Sequence, residues 1–392
     1  MAAIDTAVER AWSANGDQPV PKCRLCYLVG ELHTGGLERQ LYYLLKEMDR
    51  ERYQPAVAVW NYRADDVHVA PIRALNVPIY GFPTEWSSSV KLKAFRRLVR
   101  DLAPEVVHAS TFYINFAAYA ATVGTPAIAV GSIRGDFLES RAECGPLVGR
   151  LSARWPREQI SNNFAALDRA GRSPRMFGPR QWHVVPNGLD LSDFAAIPVS
   201  ADGPAVIAAV GYLLPPKRWE RLLAAAAVLN RRGLEFSVRI AGDGPLLENL
   251  KAEARRLGVA NRVVFAGRVD DVPQFLRQST FLVHTAEHEG CPNAVMEAMA
   301  CGRPVVATDA GDVPRLVDEG KTGFVVRRGD ETALADRLVT LIRDRNLCRR
   351  MGEQARVKAE AEFGLDRLVS ETLAAYRAAG WQPPPDPTWT EA

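Results

Sequence analysis

The sequence predicts a parallel α/β protein of two domains. Short apolar runs alternate with helical patterns along the whole chain, the rhythm of strand–helix–strand units. The runs fall into two series, separated at 191–204 by a stretch without periodicity that reads as the interdomain connection. With 392 residues, each series is long enough to bury a core of its own.

In the first series the strand candidates are 24–30, 55–60, 106–109, 127–131 and 182–185. In the second they are 205–211, 237–242, 262–267, 280–284, 304–307 and 323–326. The expected domains are 20–198 and 203–362. Between 90 and 102, Phe95, Leu98, Val99 and Leu102 form one stripe of a helix, with Lys93, Arg96, Arg97 and Arg100 on the other side. The basic side reads either as a solvated face or, more sharply, as a contact with anionic lipid or a lipid-linked acceptor. The longest uncharged run, 109–133, reads as a helix and a buried strand. Asn115 and the break at Gly124, Thr125 and Pro126 argue against a membrane span. A last helix near 366–379 carries an apolar stripe of Leu368, Val369, Leu373 and Tyr376. The tail from Trp381, with Pro383, Pro384, Pro385 and Pro387, is expected to be an extended arm.

Composition narrows the class. A hydrophobic content of 47% and a charged content of 24% suit a soluble globular enzyme. A net charge of +3 is too small to suggest a nucleic-acid binder. Residues 1–18 carry acids and no apolar core, unlike a signal peptide. Cys23 and Cys26 lie three apart on an apolar strand and so face opposite sides, and no second pair follows, so zinc is not expected. A reduced cytoplasmic compartment fits best, with peripheral contact at the inner face of the membrane through 90–102 as an added reading.

The stretch 284–325 is the richest in chemistry. Glu289 and Glu297 stand eight positions apart around Gly290, Cys291, Pro292 and Asn293. Pro292 suits the first position of a helix, which puts Glu289 in the preceding loop and Glu297 in the second turn. The free amides of such a helix start favour an anion. A loop carboxylate, an amide cradle and a helix carboxylate suit a sugar joined to a ribose through a diphosphate. The alternative is a surface pair of glutamates flanking an ordinary turn.

Other motifs sit at strand ends. Gly35 and Gly36 follow the first strand and open a helix, where glycine permits close backbone approach. Gly211 ends a strand, and Lys217 is expected in the first turn of the next helix. A cation there meets the positive dipole end unless a bound diphosphate reverses the sign. Asn187 and Gly188 read as a turn aiming the interdomain connection, and Gly242 to Pro245 as another strand-to-helix turn. His284, Glu287 and His288 match a zinc-hydrolase pattern, but that chemistry needs both histidines on one helix face, and this segment ends a strand. A dinucleotide glycine fingerprint is missing, which argues against an NAD oxidoreductase.

The 284–325 segment resembles the donor-site signature of the retaining family 4 glycosyltransferases, and the resemblance extends along most of the chain. That family has the GT-B fold, two Rossmann-like parallel-sheet domains facing a central cleft. The resemblance implies a retaining, metal-independent transferase that moves a sugar from a nucleotide-diphosphate donor to a glycan, lipid-linked or small-molecule acceptor. It implies no cofactor beyond the sugar nucleotide, a last helix that crosses back onto the first domain, and a base-contacting loop at Gly267, Arg268 and Val269. The implied donor contacts are Gly35, Gly36, Gly211, Lys217, Arg218, Val269, Glu289, Gly290, Cys291, Pro292, Asn293 and Glu297. Catalytic roles are implied for Glu289, Lys217 and Arg134. Two positions depart from the family. Tyr212 stands where an arginine is usual, with Arg218 or Arg39 as candidate substitutes. Arg134 stands where a histidine is usual; it could stabilise the departing diphosphate or simply pair with Asp136. These departures keep open a non-catalytic sugar-nucleotide-binding protein on the same fold, alongside a sugar-nucleotide epimerase.

Overall fold

A computed structural model describes residues 22–135, 137–170, 178–200 and 203–383. The N-terminal stretch compared with a signal peptide, Asp136, and the tail prolines Pro384, Pro385 and Pro387 lie outside the described residues. The chain divides into two compact units. One runs to Pro186 and takes in the chain again from Leu365; the other is Asn187–Gly364.

The first unit is built on a sheet of β1 (Cys23–Val29), β2 (Tyr53–Tyr62), β3 (Ile79–Pro83), β4 (Val106–Ala109), β5 (Ile128–Ile133), β6 (Glu158–Ser161) and β7 (Gln181–Val184). Its order is β3-β2-β1-β4-β5-β6-β7, and every pairing is parallel. Two of these strands had no sequence signal. In β3, Gly81 and Pro83 are residues that strands usually avoid. In β6, Glu158, Gln159 and Ser161 are polar, yet Gln159 is fully buried because its amide serves the carbonyls of Ser152, Ala153 and Pro156 at 2.9, 3.2 and 3.1 Å. Cys23 packs with Leu25 and Tyr27 on one face of β1, and Cys26 with Leu28 on the other. All six cysteines are free. The helix Leu365–Ala378 buries Leu368, Leu373 and Tyr376 in the same core as Cys23 and Leu25.

The helix Ser88–Leu102 buries Phe95, Leu98, Val99 and Leu102, as its stripe predicts. Lys93, Arg97 and Arg100 are exposed. Arg96 is half-buried and donates to the Val123 carbonyl at 3.1 Å. The run 109–133 contains the helix Asn115–Thr122 and β5. No helix among the described residues is long and apolar enough to cross a membrane.

The second unit has β8 (Ala205–Val210), β9 (Phe236–Ala241), β10 (Val263–Gly267), β11 (Phe281–His284), β12 (Val305–Thr308) and β13 (Gly323–Val326), all parallel, in the order β10-β9-β8-β11-β12-β13. The strand order reverses between β8 and β11. Ligands of open α/β sheets bind at the carboxyl ends of the strands flanking such a reversal. Here that point brings the loop after Gly211 beside the loop after His284. The stretch expected to connect the domains is instead largely part of this unit, whose boundary falls at Pro186–Asn187. Phe194 and Val199 of that stretch are buried in its core, two apolar anchors too widely spaced to make a period.

Candidate active site

Glu289 leaves the loop after β11 with its side chain 12% exposed. Its Oε1 accepts from Lys217 Nζ and lies 2.9 Å from His284 Nε2. Burial pushes the Glu289 carboxyl up. The His284 hydrogen bond and the Lys217 charge outweigh that and hold it down at about 2, so it is a carboxylate at neutral pH. Lys217 does not sit in the first turn of the following helix. Pro215–Lys217 is a 3₁₀ turn, Arg218 takes a left-handed φ of 52°, and the helix begins at Trp219. Two consecutive prolines favour that tight turn over an α-helical start.

The glutamate loop is pinned along its length. Thr285 Oγ1 donates to the carbonyls of Lys217 and Arg218 at 3.0 and 3.2 Å, and Glu287 N–H to that of Pro216 at 2.8 Å. Asp312 N–H donates to the Gly290 carbonyl at 3.0 Å. Asn187 Nδ2 reaches the Cys291 carbonyl at 3.2 Å and Asn293 Oδ1 at 2.8 Å. Pro292 is the cap of the helix Asn293–Ala300 rather than its first residue; its ψ of 107° is extended. Glu297 remains in the second turn and is buried. Gly211 follows β8, and the turn at Gly242 packs directly on it: a Cβ at Gly242 would lie 1.9 Å from the Gly211 carbonyl oxygen. Val269 is half-buried against the apolar cluster that holds Cys291 and Val295.

Two arginines that had no sequence signal frame the loop. Arg221 is buried, pairs with Glu287 and donates to the Thr285 carbonyl at 3.4 Å. The Arg221 contact holds Glu287 below its ordinary carboxylate range. Arg328 donates to Asp309 Oδ1 at 3.0 Å and to the Glu287 carbonyl at 3.0 Å. Arg218 pairs with Glu220 at the surface. Tyr212 is 52% exposed, and its carbonyl accepts from Trp219 Nε1 at 3.0 Å. His284 closes β11 and His288 lies in the loop, so the two do not share a helix face.

In the first unit, Gly35 caps the helix Gly36–Glu47. A carboxyl group already crowds the start of this helix: Glu38 is buried, and its Oε2 would lie 2.0 Å from a Cβ at Gly35. Burial raises the Glu38 carboxyl pKa. Arg134 follows β5, whose end is clamped at Ser132. Asn115 Oδ1 accepts from Ser132 N–H at 2.9 Å, Asn115 Nδ2 donates to its carbonyl at 3.1 Å, and His108 Nε2 lies 2.7 Å from its hydroxyl. The other His108 nitrogen lies 2.7 Å from the Tyr376 hydroxyl. Arg134, His108, Ser110 and Thr372 help line a cavity of about 10 Å³, room for about one water.

Two Rossmann-like units, each built on an all-parallel sheet, make up the GT-B fold. Residues 193–358 match the sequence profile of the glycosyl transferases group 1, and 35–188 that of the glycosyl transferase 4-like domain. The chain belongs to the family 4 glycosyltransferases. It is 34% identical over 143 residues to N-acetyl-alpha-D-glucosaminyl L-malate synthase of Bacillus anthracis, covering 36% of this chain and 38% of that protein. It is 27% identical over 326 residues to the putative glycosyltransferase EpsF of Bacillus subtilis, covering 78% and 83%. The match thus spans well under two thirds of the first relative's length. Anabaena HepE in complex with UDP and glucose has the same fold, with a TM-score of 0.77 at 21% identity over 91% of this chain and 100% of that one.

Proposed function

We propose that this protein is a retaining, metal-independent glycosyltransferase that takes its sugar from a nucleotide diphosphate and passes it to a glycan, lipid-linked or small-molecule acceptor. The observation that carries this reading is the ionised Glu289, held by Lys217 and His284 at the switch point of the second unit. In this reading Glu289 accepts from sugar hydroxyls, and the amides from Gly290 to Asn293 face phosphate. Lys217 offsets the diphosphate charge, and Glu297 accepts from the ribose. Arg134 stabilises the departing diphosphate from the acceptor-side unit, where Gly35 and Gly36 also contribute. The departing phosphate oxygen takes the acceptor proton on the same face of the sugar, so the protein supplies position and charge rather than a base. Peripheral membrane contact falls to the exposed Lys93, Arg97 and Arg100.

The test is a thermal-shift panel of UDP, GDP, ADP and their common sugars, on the parent and on the double variant Lys217→Ala with Glu297→Ala. UDP comes first, because HepE is described with UDP and with UDP-glucose. A ligand at a hundred times its dissociation constant stabilises by about 2.7 kcal/mol. A base-selective shift lost in the double variant supports the reading. A non-catalytic sugar-nucleotide-binding protein is the second reading, favoured by Tyr212 in place of a phosphate-binding arginine. Donor binding without transfer to any acceptor would put it ahead.

A further inference from the structure

We propose that His284 is the positioning residue of the donor site: it keeps the Glu289 carboxylate oriented toward the sugar while Lys217 transfers from Glu289 to the diphosphate. This rests on the donor-site reading above.

The geometry sets up a conflict that His284 resolves. Lys217 and His284 both engage one oxygen of Glu289, Oε1, and Oε2 takes no protein donor among the described residues. Oε2 is therefore the oxygen offered to a ligand. The proposed function also places Lys217 on the diphosphate, so in the ligand-bound state the lysine must leave Glu289 or be shared. A carboxylate only 12% exposed that lost every partner would be strongly destabilised. It would turn toward water or take up a proton, and either change would spoil its contact with the sugar.

The two partners differ in how free they are to move. Lys217 is 26% exposed, on a flexible four-carbon stem, and its ammonium can swing between two anions. His284 is 5% exposed, with a short side chain on the last residue of a central strand. Its backbone is in register with Ala307 of β12, and its carbonyl accepts from Thr308 Oγ1 at 3.4 Å. The next residue, Thr285, ties the chain to the carbonyls of Lys217 and Arg218. His284 is therefore the fixed partner and Lys217 the exchangeable one. The other charged groups of the loop are engaged elsewhere: Glu287 with Arg221, and Arg328 with Asp309.

The role belongs to the sugar part of the donor, so it separates from general stability by comparing two ligands. Dissociation constants of UDP and UDP-glucose, with GDP and GDP-mannose in parallel, are measured by calorimetry on the parent, His284→Leu, His284→Gln and Glu289→Ala. The quantity read is the gain in affinity of the sugar nucleotide over its bare nucleotide. We expect His284→Leu to leave bare-nucleotide affinity within about twofold and to lower the sugar's gain by about tenfold. His284→Gln, whose amide can donate from nearly the same place, should restore most of it. With an acceptor in hand, the leucine variant should lose kcat more than KM for the donor.

An undiminished sugar gain in His284→Leu, while Glu289→Ala loses it, overturns the role of His284 and leaves the donor reading standing. Equal loss of bare and sugar nucleotide in both histidine variants overturns it as well, because that is a folding defect. A gain retained in Glu289→Ala overturns the donor reading of Glu289, and the inference falls with it. The same follows if UDP, GDP and ADP all fail to bind the parent.

Discussion

Asn187 donates its side-chain amide to Oδ1 of Asn293 at 2.8 Å, across more than a hundred residues of chain. The same nitrogen reaches the Cys291 carbonyl at 3.2 Å. One buried amide therefore fixes both the loop that follows Glu289 and the start of the helix that carries Glu297. Asn187→Ala should destabilise the second unit by about 1–3 kcal/mol, the usual cost of leaving buried acceptors unpaired. It should also weaken sugar-nucleotide binding. Urea denaturation and calorimetry read the two effects, and a variant that matches the parent in both would remove Asn187 from the site.

Gly311 lies beneath the same loop. Its φ is +54°, and a Cβ there would stand 2.4 Å from the Gly290 carbonyl oxygen and 2.5 Å from that of Glu289. These are backbone atoms, which cannot rotate away as a side-chain end can. Gly311→Ala combines left-handed strain of about 1–2 kcal/mol with displacement of the glutamate loop. The expected outcome is a loss of donor affinity of tenfold or more, with secondary structure intact by circular dichroism. Parent-like affinity would mean that the loop yields easily and that its position is not critical.

How much of this was legible beforehand depends on the range of the interaction. Strand cores such as β8 and β11 announce themselves as local apolar runs, and Glu289 and Glu297 by their spacing around Pro292. The sequence reads Asn187 as a turn residue; its hydrogen bonds to Cys291 and Asn293 leave no periodic trace, because those partners lie 104 and 106 positions away. His284 drew notice only as part of a zinc-like pattern; its bond to Glu289 depends on how a strand end meets a loop. Arg221 and Arg328 look like ordinary surface arginines until β11, β12 and β13 are laid side by side. The strands β3 and β6 were hidden by Gly81, Pro83 and Gln159, where neighbouring structure overrides local propensity.

His108 gives the first unit a characteristic response to acid. Burial, with a smaller contribution from the Arg134 charge, lowers its pKa from 6.5 to about 3. The unfolded chain takes up a proton there below about pH 6.5, and the folded chain does so only near 3. Stability therefore falls as pH drops through that window, by about 2 kcal/mol between pH 7 and 5. His108→Gln should start less stable at pH 7 but lose about 2 kcal/mol less on going to pH 5. Parallel pH dependences of urea unfolding in parent and variant would contradict a neutral, buried His108.

The exposed basic side of the helix Ser88–Leu102 predicts electrostatic binding to anionic vesicles. Lys93, Arg97 and Arg100 each contribute about 1 kcal/mol near such a surface, so changing all three to Glu should abolish sedimentation with phosphatidylglycerol vesicles. Arg96 is left in place because it holds the Val123 carbonyl. A parent protein that does not sediment at low salt would end the membrane reading.

Tyr212 decides between a weakened and an intact diphosphate site. Its ring is half exposed at the switch point, and its carbonyl, not its side chain, holds Trp219. Replacing the side chain should therefore leave the turn in place. If the diphosphate lies beside Lys217, Tyr212→Arg adds a second cation at its edge. A partly exposed ion pair is worth up to about 1 kcal/mol, so UDP should bind about fivefold tighter at low salt. The gain should shrink as ionic strength rises, because the pair is open to screening. Calorimetry at two salt concentrations separates this from a packing effect, which salt would not alter. An unchanged dissociation constant at low salt would mean that position 212 does not face the phosphates. The tyrosine would then be no handicap to donor binding, and the non-catalytic reading would lose its main support.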